Sequence, residues 1–168
     1  AQDIKPNRLE KAKMAISRMV EKLSNDKVGL IVFAGDAYVQ LPITTDYSSA
    51  KLFLSNINTD MMPVQGTSIG AAIDLAARSF TPETDASKAI IVITDGENHQ
   101  DDAVAAAKTA HEKGITIHTI GMGLEQGAPI PERGNPGQFR KDAAGNVVIS
   151  KLDEETLRQI AKAGEGLY

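Results

Sequence analysis

Apolar residues recur at helical spacing through the first stretch of the chain: Leu9, Ala12, Ile16, Met19, Val20 and Leu23, with charged residues on the opposite face. Pro6 suits the first turn of that helix, where its missing N–H costs nothing. Ser24–Asn25–Asp26 marks the stop. Val28–Gly35 is then apolar and β-branched almost without interruption, the pattern of a strand buried on both faces. Gly35–Asp36 turns the chain into the more alternating Ala37–Thr44, and the two runs are predicted to pair as an antiparallel hairpin. Asp46 caps a helix running to about Ile57, with Leu52 and Phe53 as its buried candidates.

After a loop over Asn58–Gly66, Thr67 or Ser68 opens a helix through about Phe80, with Ile69, Ala72, Ile73, Ala76 and Ala77 as its inward stripe. Ala89–Ile93 reads as a second fully buried strand, ending in Thr94–Asp95–Gly96–Glu97. A helix over about Asp101–Lys113 closes at Gly114, and Ile115–Ile120 is a third buried strand. Strand, helix and strand in this order imply a right-handed parallel crossover. The stretch from Leu124 to Ser150 breaks the alternation with three prolines, and Gln138–Lys141 and Val147–Ile149 are predicted to pair across Asp142–Gly145. Asp153 caps a last helix with Leu157, Ile160 and Ala161 inward, and Gly164–Tyr168 reads as the entry to a further strand.

A length of 168 residues suits one domain, large enough to bury a substantial core. Only 4% of residues are aromatic, so aliphatic side chains and alanine must fill that core, and stacking platforms for single-stranded nucleic acid are not expected. The net charge of -4 argues weakly against a nucleic-acid partner, and no cluster of Lys and Arg offers a phosphate-binding surface. With no cysteine there is no disulfide, thiolate site or Cys nucleophile. No apolar run reaches the ~20 residues of a membrane span, so any membrane contact is expected through segments outside these residues.

Open α/β sheets bind ligands beyond the carboxyl ends of their parallel strands. Asp95 stands at such an end, where it is either a ligand or a turn former before Gly96. Thr67 opens the helix after another loop, as a cap or with a second role. A carboxylate and a hydroxyl converging at one sheet edge are hard oxygen ligands, suited to Mg²⁺, Mn²⁺ or Ca²⁺ rather than Zn²⁺. His99, Asp101 and Asp102 read more simply as capping residues than as a metal cluster, and Asp3 as a solvated terminal residue, although it could reach the edge of the site. His111 reads as a helix surface residue and His118 as a strand residue. Met61 and Met62 form either an adaptable contact surface beside Thr67 or a partly buried loop. No Ser/His/Asp arrangement and no Gly-x-Gly-x-x-Gly after a strand is evident, so no catalytic or dinucleotide site is expected.

Three ordered blocks, VGLIVFAG (28–35), GTSIGAAI (66–73) and IIVITDGEN (90–98), resemble the second strand, the threonine loop and the aspartate strand of a von Willebrand factor A (vWA) domain. The likeness covers nearly the whole chain. Thr94–His99, the insertion Gly127–Ser150 and the tail Lys151–Tyr168 resemble more narrowly the bacterial Bat (aerotolerance) proteins. The resemblance implies a single vWA domain over 1–168, an α/β Rossmann-like fold with a mostly parallel central sheet flanked by helices, and a family-type insertion with a small hairpin over 124–150. It implies a metal-ion-dependent adhesion site (MIDAS) in which Thr67 and Asp95 are the metal ligands. The metal would be Mg, Mn or Ca, meeting a carboxylate from a protein partner. It implies further vWA membrane proteins as partners, no enzymatic activity, and an inner-membrane anchor with the domain in the periplasm.

The sequence departs from the family pattern at one place. No Asp-x-Ser-x-Ser motif occurs in it, and Ala1–Gln2–Asp3 resembles the residues just downstream of that motif. The expectation is therefore a domain truncated at the N-terminus, and at the C-terminus too, whose first, central strand is missing. That leaves unpaired strand edges beside Val28 and Ala89 and two ligands that hold metal weakly or not at all. Two other functions compete: a metal-independent scaffold, and a phosphoryl-handling enzyme using Asp95. The enzyme reading needs further acidic residues and a lysine at neighbouring strand ends. The Val28 strand, ending in Ala34–Gly35, and Ile120–Gly121 do not offer them.

Overall fold

The computed structural model describes residues 3–62, 66–81, 85–98, 101–132, 135 and 137–168. Helix α1 (Arg8–Val20) begins two residues after Pro6: Asn7 is its cap, its side chain accepting from the Glu10 amide, and Pro6 lies outside. Strands β1 (Val28–Phe33) and β2 (Ala37–Thr44) form the expected antiparallel hairpin, with register Phe33 opposite Ala37 and Val28 opposite Thr44. Helix α2 (Tyr47–Ser55) is capped by Asp46 as expected, but it buries Ala50 and Leu54. Leu52 and Phe53 are exposed, because residues four apart share a helix face and Ala50 with Leu54 holds the inner one.

Helix α3 (Ile69–Ser79) carries the small-residue stripe, with Ile69, Ala72 and Ile73 buried and Ala76 and Ala77 packed at the margin of the core. Strand β3 (Lys88–Thr94) pairs in parallel with β4 (Ile115–Gly121) in uninterrupted register from Lys88–Ile115 to Thr94–Gly121. Helix α4 (Ala103–Glu112) connects them, capped by Asp102 and ended by Gly114 at φ +77°. Helix α5 (Glu154–Ala163) is capped by Asp153 and buries Leu157, Ile160 and Ala161. The tail does lie as a strand would: the Ile117 and Thr119 amides of β4 donate to the Gly164 and Leu167 carbonyls.

The insertion is more ordered than a lone hairpin. Lys141 pairs with Val147 as expected, and the segment Ala128–Pro131 joins it: β5 (Ala128–Pro129) lies antiparallel to β6 (Ile149–Ser150), and Pro131 pairs with Phe139.

Neither β1 nor β3 is buried on both faces. In β1 only Leu30 is fully buried, and β3 alternates, with Ile90 and Val92 buried while Ala89 and Ile91 are exposed. The reason lies in the sheet. Among the described residues β1 pairs only with β2 and β3 only with β4. Between them runs an apolar groove of about 720 Å³, walled by β1 and β3 and floored in part by Leu9 and Ile16 of α1 and Ile73 of α3. Two cores flank it. One gathers Ile69, Ile73, Ile90, Val92, Ile117 and Ile160, and the other Val20, Leu30, Leu41, Ala50 and Leu54. Each fully buried aliphatic side chain, such as Ile69, Ile73 or Ile117, contributes about 1.5–3 kcal/mol.

Candidate functional site

The groove ends at the carboxyl edge of the sheet, and both Thr67 and Asp95 line it there. Thr67 is placed by its neighbour. The Ser68 amide donates to the Ala34 carbonyl at 2.8 Å and its hydroxyl to the Gly35 carbonyl at 2.8 Å, so the threonine loop hangs from the end of β1. Ser68 therefore does not cap α3 with its side chain. Asp101 does so from across the site: its two oxygens accept from the Gly70 and Ala71 amides at 3.0 and 2.9 Å. A carboxylate at a helix N-terminus meets unpaired N–H groups and the positive end of the helix dipole. Asp101 and Asp102 are thus both caps, for α3 and α4, and Asp101 ties the threonine loop to the aspartate loop. His99 lies outside the described residues.

Asp95 follows β3 directly, and Gly96 lets the chain turn behind it. Gly96 sits at φ +82°, and a Cβ there would come within 2.5 Å of the Asp153 carbonyl, so a side chain is excluded twice. The Asp153 amide closes the same turn on the Asp95 carbonyl at 2.7 Å.

The side chain of Asp95 is held on one oxygen. Its Oδ2 accepts from Arg8 Nη1 at 2.8 Å and from Ser150 Oγ at 2.9 Å. Among the described residues its Oδ1 has only long contacts, 3.3 Å from the Glu97 amide and 3.5 Å from Thr94 Oγ1. Arg8 also forks onto Asp3, with Nε to Oδ1 at 2.8 Å and Nη2 to Oδ2 at 2.7 Å. Asp3 is no solvated terminus. Its side chain is 2% exposed, and its Oδ2 accepts from the Leu124 amide as well. The Arg8 guanidinium, above all through these hydrogen bonds, holds the Asp3 carboxyl down at about 2, while the paired carboxylates raise the guanidinium against the cost of its burial.

Arg8 and Ser150 are the residues that sequence reasoning missed. One signal was present: Arg8 is the first residue of α1, where a cation opposes the helix dipole, so other partners must hold it there. Ser150 carries no such mark. Met61, exposed, and Met62, half-buried, also line the groove with Thr67. His118, a strand residue as expected, accepts the Leu167 amide at Nδ1, and His111 lies on α4 with Nε2 3.7 Å from Glu165.

Chemically, the Thr67 hydroxyl and the more open oxygen of Asp95 fit a hard divalent cation as two of its oxygen ligands. Among the described residues no group of three or more carboxylate or imidazole side chains converges, so a cation held there would take only part of its coordination shell from these two oxygens.

A parallel α/β pair with a threonine loop and an aspartate at its carboxyl edge defines a class, and the chain belongs to it: the von Willebrand factor type A domain matches residues 1–166. The fold is the α/β Rossmann-like fold of that family. Within the class the chain is similar to BatB from Bacteroides thetaiotaomicron, at 57% identity and TM-score 0.96 over 100% of this chain and 82% of that one. It is also similar to an aerotolerance-related membrane protein from Bacteroides fragilis bearing multiple mutations to serine, at 56% identity and TM-score 0.95 over 100% of this chain and 83% of that one. A UPF0353 protein from Nocardia farcinica is 31% identical over 100% of the chain and 53% of its own length. The chain spans about half the length of the curated relatives it matches. Among the described residues no helix is long and apolar enough to cross a membrane.

Proposed function

We propose that this domain binds a protein partner through a divalent cation held at the carboxyl edge of the sheet, with Thr67 and Asp95 as two of its ligands. The observation that carries the reading is the state of Asp95: one oxygen is tied down by Arg8 and Ser150, and the other has, among the described residues, only long contacts at a groove that Thr67 also lines. The bound metal would supply a Lewis-acidic point for a partner's carboxylate. The apolar groove between β1 and β3, whose facing edges pair with no strand among the described residues, supports a further ligand set on a central Asp-x-Ser-x-Ser strand that would pair with both edges. The domain is one unit over 1–168, with 124–150 as its insertion. It serves without catalysis in a bacterial membrane-associated aerotolerance complex, on the periplasmic side, with other vWA membrane proteins as candidate partners.

Calorimetric titration of the full-length protein with Mg²⁺ and Mn²⁺ tests the site. Binding is expected in the native protein and is expected to be lost in the Thr67→Ala, Asp95→Ala pair. Unchanged binding in that pair would refute the assignment. No binding in the native protein would favour a metal-independent scaffold.

A further inference from the structure

Arg8 makes five hydrogen bonds, two to Asp3, one to Asp95 and two to Ser150. A guanidinium has five N–H donors, so its capacity is fully used. Three of these bonds reach far in sequence, to Asp95 and Ser150, and those two residues close a ring with Arg8. Arg8 Nη1 donates to Ser150 Oγ at 2.6 Å, Ser150 Oγ donates to Asp95 Oδ2, and Arg8 Nη1 donates to that same oxygen. Both donors reach Oδ2 and neither reaches Oδ1. Exposure falls in the same order along the chain of charges, from 24% for the Asp95 side chain to 11% for Arg8 and 2% for Asp3. Asp95 is the end that faces outward, and Asp3 is the end that is sealed.

Resting on the metal-site reading above, we infer that Arg8 is the positioning residue of this site and Asp3 its charge balance. Arg8 and Ser150 hold Asp95 by Oδ2 so that Oδ1 is the oxygen presented to a cation. A guanidinium 2.8 Å from a metal ligand would by itself cancel the ligand's charge. Asp3 prevents this, because one cation against two carboxylates leaves the trio with a net charge of -1. Lysine cannot replace Arg8, having three donors on one atom and no fork to span Asp3, Ser150 and Asp95 together.

The test uses the full-length protein and Mn²⁺ alone as the probe, with affinity from calorimetry and thermal melts to compare folding. Asp3→Asn is expected to weaken Mn²⁺ binding roughly tenfold, because Arg8 then neutralises Asp95, and the deficit should shrink as salt is added. Asp3→Glu, which restores the charge, is expected to recover most of the affinity. Ser150→Ala removes one donor to Oδ2 without changing any charge, and a loss of roughly two- to fivefold is expected. Arg8→Lys should lose more than Ser150→Ala. Unchanged affinity in Asp3→Asn and Ser150→Ala, with binding still abolished by the Thr67→Ala, Asp95→Ala pair, overturns this inference alone. Retained binding in that pair overturns the site, and the inference with it. Equal weakening in Asp3→Asn and Asp3→Glu overturns the charge role of Asp3.

Discussion

Gly70 and Asp101 should show a reversal of sign in a double-mutant cycle. Gly70 is the second residue of α3, and replacing a helical glycine by alanine normally stabilises a protein by about 0.5–1 kcal/mol. Here a Cβ on Gly70 would stand 2.9 Å from Asp101 Cγ and 3.0 and 3.1 Å from its two oxygens. The carboxylate is on a short side chain and is already bonded to the Gly70 and Ala71 amides, so it cannot retreat and keep both bonds. Losing this cap costs about 1–2 kcal/mol, the usual range for removing a charged N-cap partner. Gly70→Ala is therefore expected to destabilise the native protein by about 1 kcal/mol net, the propensity gain set against the lost cap. In an Asp101→Ala background, where the clash and the cap are both gone, the same Gly70→Ala change should stabilise by about 0.5 kcal/mol. Urea unfolding of the four proteins, with slopes required to agree, gives the coupling directly. A Gly70→Ala variant that is more stable than the native protein would refute the reasoning.

Two further outcomes are expected. Thr119 is 2% exposed and its hydroxyl donates to the Leu157 carbonyl at 2.9 Å, so Thr119→Val should cost about 1 kcal/mol by urea unfolding. The Asp3 carboxyl is lowered from its ordinary 3.8 to about 2, so its contribution is complete above that ordinary value and is lost as pH falls towards the folded one. The shift corresponds to about 2 kcal/mol at most. The stability gap between the native protein and Asp3→Asn should therefore narrow as pH is lowered from about 5 to about 2, and a gap independent of pH over that range would contradict the ion pair.

What could be read from the sequence was what depends on near neighbours. Asp46, Asp102 and Asp153 each cap the helix that follows them, because a cap is decided within three residues. The strands and their order followed from β-branched runs and the turns between them. What failed depended on distant chain. The runs in β1 and β3 looked doubly buried, yet burial of a strand is set by its neighbours in the sheet, and these two strands flank a groove. Leu52 and Phe53 were misplaced because apolar character alone does not say which side of α2 faces inward. At the site, Thr67 and Asp95 were visible as residues at helix and strand ends. Arg8 reaches Asp95 across 87 positions and Ser150 across 142, separations over which no local pattern carries information.

The separation into two cores has a consequence for how the domain opens. The core around Leu30, Leu41 and Leu54 draws on α1, β1, β2 and α2, while the core around Ile73, Ile90, Ile117 and Ile160 draws on α3, β3, β4, α4 and α5. No backbone ladder joins β1 to β3 among the described residues, and the halves meet through Phe33 and the Ser68 bonds to Ala34 and Gly35, so each half is expected to open locally more readily than the whole. Amide exchange in native conditions should then fall into two tiers, one for each half. A strand seated in the groove would fuse them into one, so that ordering a few residues in the middle of the molecule would slow exchange at its far edges.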